Sequence, residues 1–122
     1  MLVVDDELIV RDVARALLER LRAQVTLATG AIEARALLAA GLDECDLALV
    51  DVSLADGRCA DLLAEIAQHM PGCQLVAISG YDPSHAPSVP GHRVRFLQKP
   101  FTFDSIRRLL HEIGFAADAG CA

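Results

Sequence analysis

Apolar residues along this chain follow two different spacings. Short runs rich in valine, leucine and isoleucine predict five strands, at Leu2 to Val4, Val25 to Ala28, Leu47 to Val50, Leu75 to Ile78 and Val94 to Gln98. Apolar positions three or four residues apart predict helices at Val10 to Leu21, Ile32 to Ala40, Cys59 to Met70, and from about Thr102 to Ile113. The third strand is almost wholly apolar, as is typical of a strand buried on both faces.

The alternation of strand and helix predicts an α/β fold, in which a doubly wound parallel sheet carries helices on both faces. The pattern breaks at residues 80–93, GYDPSHAPSVPGHR. Pro87 and Pro90 would each remove a backbone donor and clash with a preceding helical turn. We therefore expect an irregular fourth helix region there. The 122 residues suit a single domain, 1–122, with residues 116–122 as a loose tail.

Composition and charge limit the classes of function. With 53% hydrophobic and 23% charged residues, the chain can bury a core. Its net charge of −6 argues against a nucleic-acid surface and suits a basic partner or a bound cation. No apolar run reaches the ~20 residues that span a bilayer, and no signal peptide is recognisable, so we expect a cytoplasmic location. The four cysteines lack metal-ligand spacing and are expected to be reduced thiols.

Polar residues directly follow four of the predicted strands. They are Asp5 and Asp6 after the first strand, Asp51 after the third, Ser79 after the fourth and Lys99 after the fifth. Because sites in parallel sheets form beyond the carboxyl ends of the strands, we expect these side chains to lie together. Neighbouring carboxylates repel each other, and a hard cation such as Mg²⁺ relieves the repulsion. Beside such an ion and a lysine, Asp51 suits nucleophilic attack on a phosphoryl group.

Four segments carry a resemblance to a known family. LVVDDE, LALVDVSLADG, LVAISGYD and FLQKPF, in this order, resemble the receiver domains of bacterial two-component response regulators, including the chemotaxis receivers. The resemblance covers nearly the whole chain. It implies a flavodoxin-like sheet of order 2-1-3-4-5 and a phosphoryl-accepting signalling switch with no separate substrate. It also implies a phosphohistidine donor, on a sensor kinase or a histidine phosphotransfer protein, and a downstream protein partner that the sequence does not identify.

The resemblance assigns the acidic residues of this chain to two roles. Asp51 corresponds to the phosphoacceptor. Asp5, Asp6 and Asp51, together with the backbone carbonyl of Ser53, correspond to the Mg²⁺ ligands. The Ser53 position is also one that tunes the lifetime of the phosphorylated state in this family.

Further residues match the family's switch and tuning positions. Ser79 corresponds to the hydroxyl residue that follows the phosphoryl group, and Lys99 to the lysine that pairs with phosphoryl oxygen. The bond between Lys99 and Pro100 is expected to be cis. Phe96 corresponds to the aromatic residue that turns inward when Ser79 moves. Tyr81 occupies a position that shields the phosphoryl group from attacking water.

The chain also departs from the family pattern, and other functions stay open. Ala55 and Cys59 stand where proline and glycine are usual, and Phe96 lacks the hydroxyl of a tyrosine. A pseudo-receiver that only docks partners would share this fold. An aspartyl-phosphate phosphatase of the haloacid-dehalogenase type would have a general acid where Ser53 stands. A flavodoxin-type module would have a hydroxyl-rich and glycine-rich phosphate loop where Asp5 and Asp6 stand.

Overall fold

A computed structural model describes residues 1–80 and 87–115. The elements in chain order are β1 (Leu2–Val4), α1 (Leu8–Arg20), β2 (Thr26–Ala28), α2 (Ala31–Ala39), β3 (Leu47–Asp51), α3 (Cys59–His69), β4 (Gln74–Ser79), β5 (Val94–Gln98) and α4 (Phe103–Glu112). Every predicted strand and helix is present, with ends that differ from the prediction by two residues at most. None of the helices in the described ranges combines the length and apolar character that crossing a bilayer requires.

The five strands form one parallel sheet in the order β2-β1-β3-β4-β5, which confirms the fold that the resemblance implied. The central strand β3 is buried along its whole length. Its pairing with β4 runs from Leu47 opposite Gln74 to Asp51 opposite Ile78. Since all strands point the same way, Asp51 and Ser79 end their strands at the same edge of the sheet, where β1 also ends.

Side chains alternate between the two faces of the sheet. Ala48 and Val50 of β3 pack with α2 and α3, whereas Leu47 and Leu49 pack with α1 and α4. This two-residue period is the geometric consequence of a pleated strand, and it gives the protein a core layer on each face. The sheet therefore provides a rigid base for the loops at its carboxyl edge.

The loop after β3 is fastened to the start of α2 by a side chain. Asp56 accepts hydrogen bonds from the N–H groups of Ala31 (2.8 Å) and Ile32 (3.0 Å), which lowers its pKa. A side chain at Gly30 would bring a Cβ within 2.6 Å of Asp56, so the close approach requires glycine there. Although Ala55 replaces the usual proline, the loop is thus held by a capping contact.

Helices α3 and α4 begin where the sequence predicted, and Cys59, which replaces the family's usual glycine, does not disturb the start of α3. Cys59 is the first residue of α3, and its buried thiol lies 3.7 Å from the carbonyl oxygen of Val50. Thr102 caps α4, because its hydroxyl accepts from the Ser105 N–H (3.2 Å) while the Ser105 hydroxyl accepts from the Thr102 N–H (2.8 Å). The predicted N-cap at Thr102 is confirmed.

The segment before β5 is irregular where the structure describes it. Residues 87–93 contain no helix, and Val89 and His92 form an isolated antiparallel bridge around Gly91, whose φ is 80°. The buried Val89 side chain anchors this turn to the core layer of α2 and α3. The predictions for residues 81–86 and for the tail, 116–122, lie outside the described residues.

Candidate functional site

Asp5 is held at the end of β1 by its backbone. Its N–H donates to the carbonyl oxygen of Ala28 (3.2 Å), and its own carbonyl accepts from Arg11 Nη1 (2.7 Å). The side chain is fully buried, and one carboxylate oxygen, Oδ1, accepts from the Glu7 N–H at 2.9 Å. These contacts aim the second oxygen, Oδ2, at the carboxyl edge of the sheet.

Asp51 ends the central strand and is 1% exposed. Its Oδ1 atom accepts hydrogen bonds from the Ser53 hydroxyl (3.1 Å) and the Ser53 N–H (3.3 Å). The next residue, Val52, donates its N–H to the Ile78 carbonyl at 3.0 Å, which extends the pairing of β3 with β4 past the strand end. The carboxylate therefore sits on a backbone that is fixed on both sides.

The Lys99 ammonium group lies among three carboxylates. Its Nζ atom is 3.0 Å from Asp5 Oδ2, 3.3 Å from Glu7 Oε1 and 3.5 Å from Asp51 Oδ1. Burial alone would lower the pKa of Lys99, but hydrogen bonding to Asp5 and the charges of Asp5 and Asp51 together raise it. The lysine is accordingly charged at neutral pH.

The backbone of Lys99 is joined to the neighbouring strand. Its N–H donates to the carbonyl oxygen of Ser79 at 2.7 Å. The Lys99–Pro100 peptide bond is cis, as the resemblance implied. Ser79 itself is 2% exposed and ends β4. A displacement of Ser79 would therefore be passed directly to Lys99.

The four acidic side chains form a group that fits a divalent cation. One carboxylate oxygen from each of Asp5, Asp6, Glu7 and Asp51 lies within 4.8 Å of the others. Asp5 Oδ2 is buried, and the Lys99 ammonium group lies 3.0 Å from it. Burial raises the pKa of Asp5, and repulsion from Asp51 adds to the shift. Hard oxygen donors with unbalanced negative charge suit Mg²⁺.

The structure thus brings together most of the residues predicted from sequence. Asp5, Asp6, Asp51 and Lys99 form one cluster, and Ser79 adjoins it through the backbone. The described contacts of Ser53 run through its N–H and hydroxyl, so the role of its carbonyl stays a prediction.

The remaining two predicted site residues are Phe96 and Tyr81. Phe96 lies on β5 opposite Ala77 and is half-buried. Tyr81 lies outside the described residues.

Glu7 is a member of the cluster that the sequence prediction missed. It is the N-cap residue of α1, and its side chain is 62% exposed. In the sequence it reads as an ordinary acidic residue at a helix start, which is favourable there in any helix. The signal that could have found it is its place directly after Asp5 and Asp6, within reach of the same ion.

An exposed apolar surface adjoins Lys99. Ile9 is 77% exposed and Val13 is 41% exposed, both on α1. Together with Val10, Pro100 and Phe101 they form what we call the α1 surface, and with Lys99 they line a cavity of about 370 Å³. Lys99 therefore belongs both to the acidic cluster and to the rim of this apolar surface.

Comparison with known proteins agrees with the fold. Solved structures similar to this chain include the receiver domain of NtrX from Brucella abortus, at 27% identity and a TM-score of 0.76, covering 92% of this chain and 95% of that one. A CheY-like receiver domain protein from Methanospirillum hungatei is 26% identical, with a TM-score of 0.72 and coverage of 97% and 92%. The receiver domain of the hybrid histidine kinase CckA is 26% identical, with a TM-score of 0.76 and coverage of 92% and 95%.

Comparison with curated protein sequences gave no match. The sequence profile of the response regulator receiver domain matches residues 1–111, which includes every strand and the acidic cluster. The chain belongs to the response regulator receiver domain family, the signalling switches of two-component systems.

Proposed function

We propose that this chain is a Mg²⁺-dependent switch in which Asp51 accepts a phosphoryl group from a phosphohistidine. The donor is a histidine kinase or a histidine phosphotransfer protein. The observation that supports this most directly is the position of Lys99 Nζ, 3.0 Å from Asp5 and 3.5 Å from Asp51. A charged lysine and a group of hard oxygen ligands around one buried carboxylate are what phosphoryl transfer to that carboxylate requires.

The transfer forms a bond between an Asp51 oxygen and phosphorus and breaks the bond from phosphorus to the donor's histidine nitrogen. Asp5, Asp6, Asp51 and the Ser53 carbonyl would hold Mg²⁺, and Glu7 is a further candidate ligand. Bound Mg²⁺ neutralises charge on the phosphoryl oxygens. The Ser53 hydroxyl keeps the Asp51 carboxylate oriented during attack by donating to it. The Val52 N–H holds the backbone that carries Asp51, because it donates to the Ile78 carbonyl.

Phosphorylation changes which anions compete for Lys99. The new group brings about −1.5 to −2 charges and three acceptor oxygens. It therefore draws the Lys99 ammonium away from Asp5 and Glu7, and it attracts the Ser79 hydroxyl. Because the Lys99 N–H donates to the Ser79 carbonyl, these two movements are mechanically joined.

Phe96 is the element that carries this change to the surface. It lies opposite Ala77, two residues before Ser79 on the neighbouring strand, and is half-buried. A half-buried ring can move further into the space that Ser79 leaves. Since phenylalanine has no hydroxyl, the switch acts by packing and not by a new hydrogen bond. A downstream protein then distinguishes the two arrangements of β4 and β5 by its affinity for each.

The α1 surface is the docking surface for the phosphodonor in this proposal. It is apolar, exposed and continuous with Lys99, so a protein seated on it reaches the edge where Asp51 lies. Exposed apolar patches of this kind mark sites of protein association. A histidine-bearing helical surface of the donor would cover Ile9 and Val13 while its phosphohistidine meets Asp51.

Asp51→Asn is expected to abolish phosphorylation. With acetyl phosphate and Mg²⁺, intact mass spectrometry should show one adduct of about 80 Da on the unaltered chain and none on the variant, which lacks the nucleophilic oxygen. Asp61→Asn, an exposed acid on α3, serves as the control and should be modified normally. Equal yield in Asp51→Asn would reject Asp51, and no adduct on the unaltered chain would favour the pseudo-receiver. Turnover of donor in large excess over protein would favour the phosphatase.

Asp6→Asn is expected to weaken Mg²⁺ binding by about tenfold or more, because it removes a charged ligand from the cluster. Asp12→Asn is the control: Asp12 is exposed like Asp6 but lies on α1, outside the acidic cluster, so the Mg²⁺ affinity should be unchanged. Isothermal titration with MgCl₂ measures both, and the rise of Tm with Mg²⁺ gives an independent check. Identical affinities for the two variants would remove Asp6 from the site.

Ile9→Asp is expected to slow transfer from a protein donor by about tenfold or more while transfer from acetyl phosphate is unchanged. The donor is a purified phosphorylated kinase or phosphotransfer protein that phosphorylates the unaltered chain. Ile32→Asp is the matched control, since Ile32 is 69% exposed but lies on α2, which packs on the other face of the sheet. Equal transfer rates in the two variants would exclude the α1 surface as the docking site.

Phe96→Trp introduces a fluorescent reporter into a chain that contains no tryptophan. If the side chain moves inward on phosphorylation, its emission should shift to shorter wavelength when acetyl phosphate and Mg²⁺ are added. The same substitution combined with Asp51→Asn should show no shift. An unchanged spectrum in a sample that mass spectrometry shows to be phosphorylated would contradict the switch role of Phe96.

A further inference from the structure

Two cysteines meet at the end of the sheet opposite the acidic cluster. Cys45 lies two residues before β3, and Cys73 lies directly before β4. The Gln74 N–H, at the start of β4, donates to the carbonyl of Asp46, the residue before β3, at 3.0 Å. Both cysteines are free. The Cys45 thiol donates to the Leu47 carbonyl at 3.0 Å and the Cys73 thiol to the Gln74 carbonyl at 3.6 Å, and the two thiols lie close enough to shift each other's pKa in opposite directions. In sequence nothing links them, because only the pairing of β3 with β4 brings them together.

The position of this pair suits a disulfide. Cys45 precedes Asp46 and Cys73 precedes Gln74, and the Gln74 N–H donates to the Asp46 carbonyl, so the two backbones run side by side here. Cys73 belongs to the core layer of α2 and α3, and Cys45 packs against the same layer. Both side chains therefore lie on the same face of the sheet.

The pair is also open to small reagents and is unequal in acidity. Both cysteines line a cavity of about 740 Å³, and Cys45 is only half-buried. The neighbouring Cys73 thiol lowers the pKa of Cys45 to about 6, and the same neighbourhood, together with burial, raises the pKa of Cys73. Cys45 is therefore the more acidic and more nucleophilic thiol of the pair. Burial raises the pKa of the third described cysteine, Cys59, to about 12, so it is unreactive.

We propose that Cys45 and Cys73 form a redox-active dithiol that hydrogen peroxide converts reversibly into a disulfide. The Cys45 thiolate attacks one peroxide oxygen, the O–O bond breaks, and the departing hydroxide takes a proton to become water. The Cys73 sulfur then attacks the Cys45 sulfenic acid, and its proton leaves with the hydroxyl group as a second water. The two thiols lose two electrons in total, and these electrons reduce one peroxide molecule.

This modification is independent of the proposed phosphoryl transfer. Asp51 lies at the far end of β3 from Cys45, and Ser79 lies at the far end of β4 from Cys73. The disulfide joins the starts of two strands that are already paired. Its direct effect is therefore to tie β3 to β4, and oxidation should proceed equally in Asp51→Asn.

The test uses the full chain with Cys121→Ser, because Cys121 lies outside the described residues. Treatment with hydrogen peroxide should lower the intact mass by about 2 Da, the mass of two hydrogens, and a thiol reductant should restore it. Peptide mapping should link Cys45 to Cys73. The oxidised protein should melt about 5–10 °C higher than the reduced one, because the crosslink restricts the unfolded chain.

Two controls make the outcome decisive. Cys59→Ala should retain the mass loss, and Cys45→Ser should abolish it. On the reduced chain, iodoacetamide at pH 7 should modify Cys45 at least about tenfold faster than Cys59. This comparison substitutes neither cysteine, so it does not depend on whether a variant folds. Addition of oxygen without any mass loss, a crosslink that persists in Cys45→Ser, or equal alkylation rates would each overturn the dithiol.

Discussion

Repulsion between buried carboxylates at one edge of the sheet is the constraint on which this site depends. Asp5 is fully buried and Asp51 is 1% exposed, and their mutual repulsion is among the causes of the raised pKa of Asp5. Lys99 supplies one positive charge within 3.5 Å of both. Asp6 and Glu7 add two more carboxylates to the same group, so one lysine cannot balance the total. The negative charge of the cluster exceeds the positive charge of Lys99, and a bound divalent cation would offset the excess.

The Lys99 ammonium group is shared among three carboxylates at distances of 3.0 to 3.5 Å. In the proposed switch, a phosphoryl group on Asp51 would attract this ammonium group more strongly than the carboxylates do. The hydrogen bond from the Lys99 N–H to the Ser79 carbonyl would then pass the change to the pairing of β4 with β5. Metal affinity and switching would thus have the same electrostatic origin.

The strands, the helices and four of the cluster residues were predictable because their signals are local. An apolar run followed by Asp5 or Asp51 shows both the strand and its polar end within a few residues. Contacts between distant segments have no such signal. The cap that Asp56 provides for α2 joins residues 25 apart in sequence, and the pairing of Cys45 with Cys73 depends on the register of β3 with β4. Such contacts follow from the three-dimensional register, which hydrophobic spacing does not encode.

The two proposed chemistries lie at opposite ends of β3 and β4. Asp51 lies six residues after Cys45, a distance of about 20 Å at about 3.3 Å per residue. Between them, the side chains of β3 are completely buried and pack against both core layers. The proposed crosslink joins the starts of the strands and restricts the unfolded chain, so its main expected effect is on the stability of the fold. The proposed charge change at Asp51 would act instead at the opposite end of the strands, on the surface around Phe96.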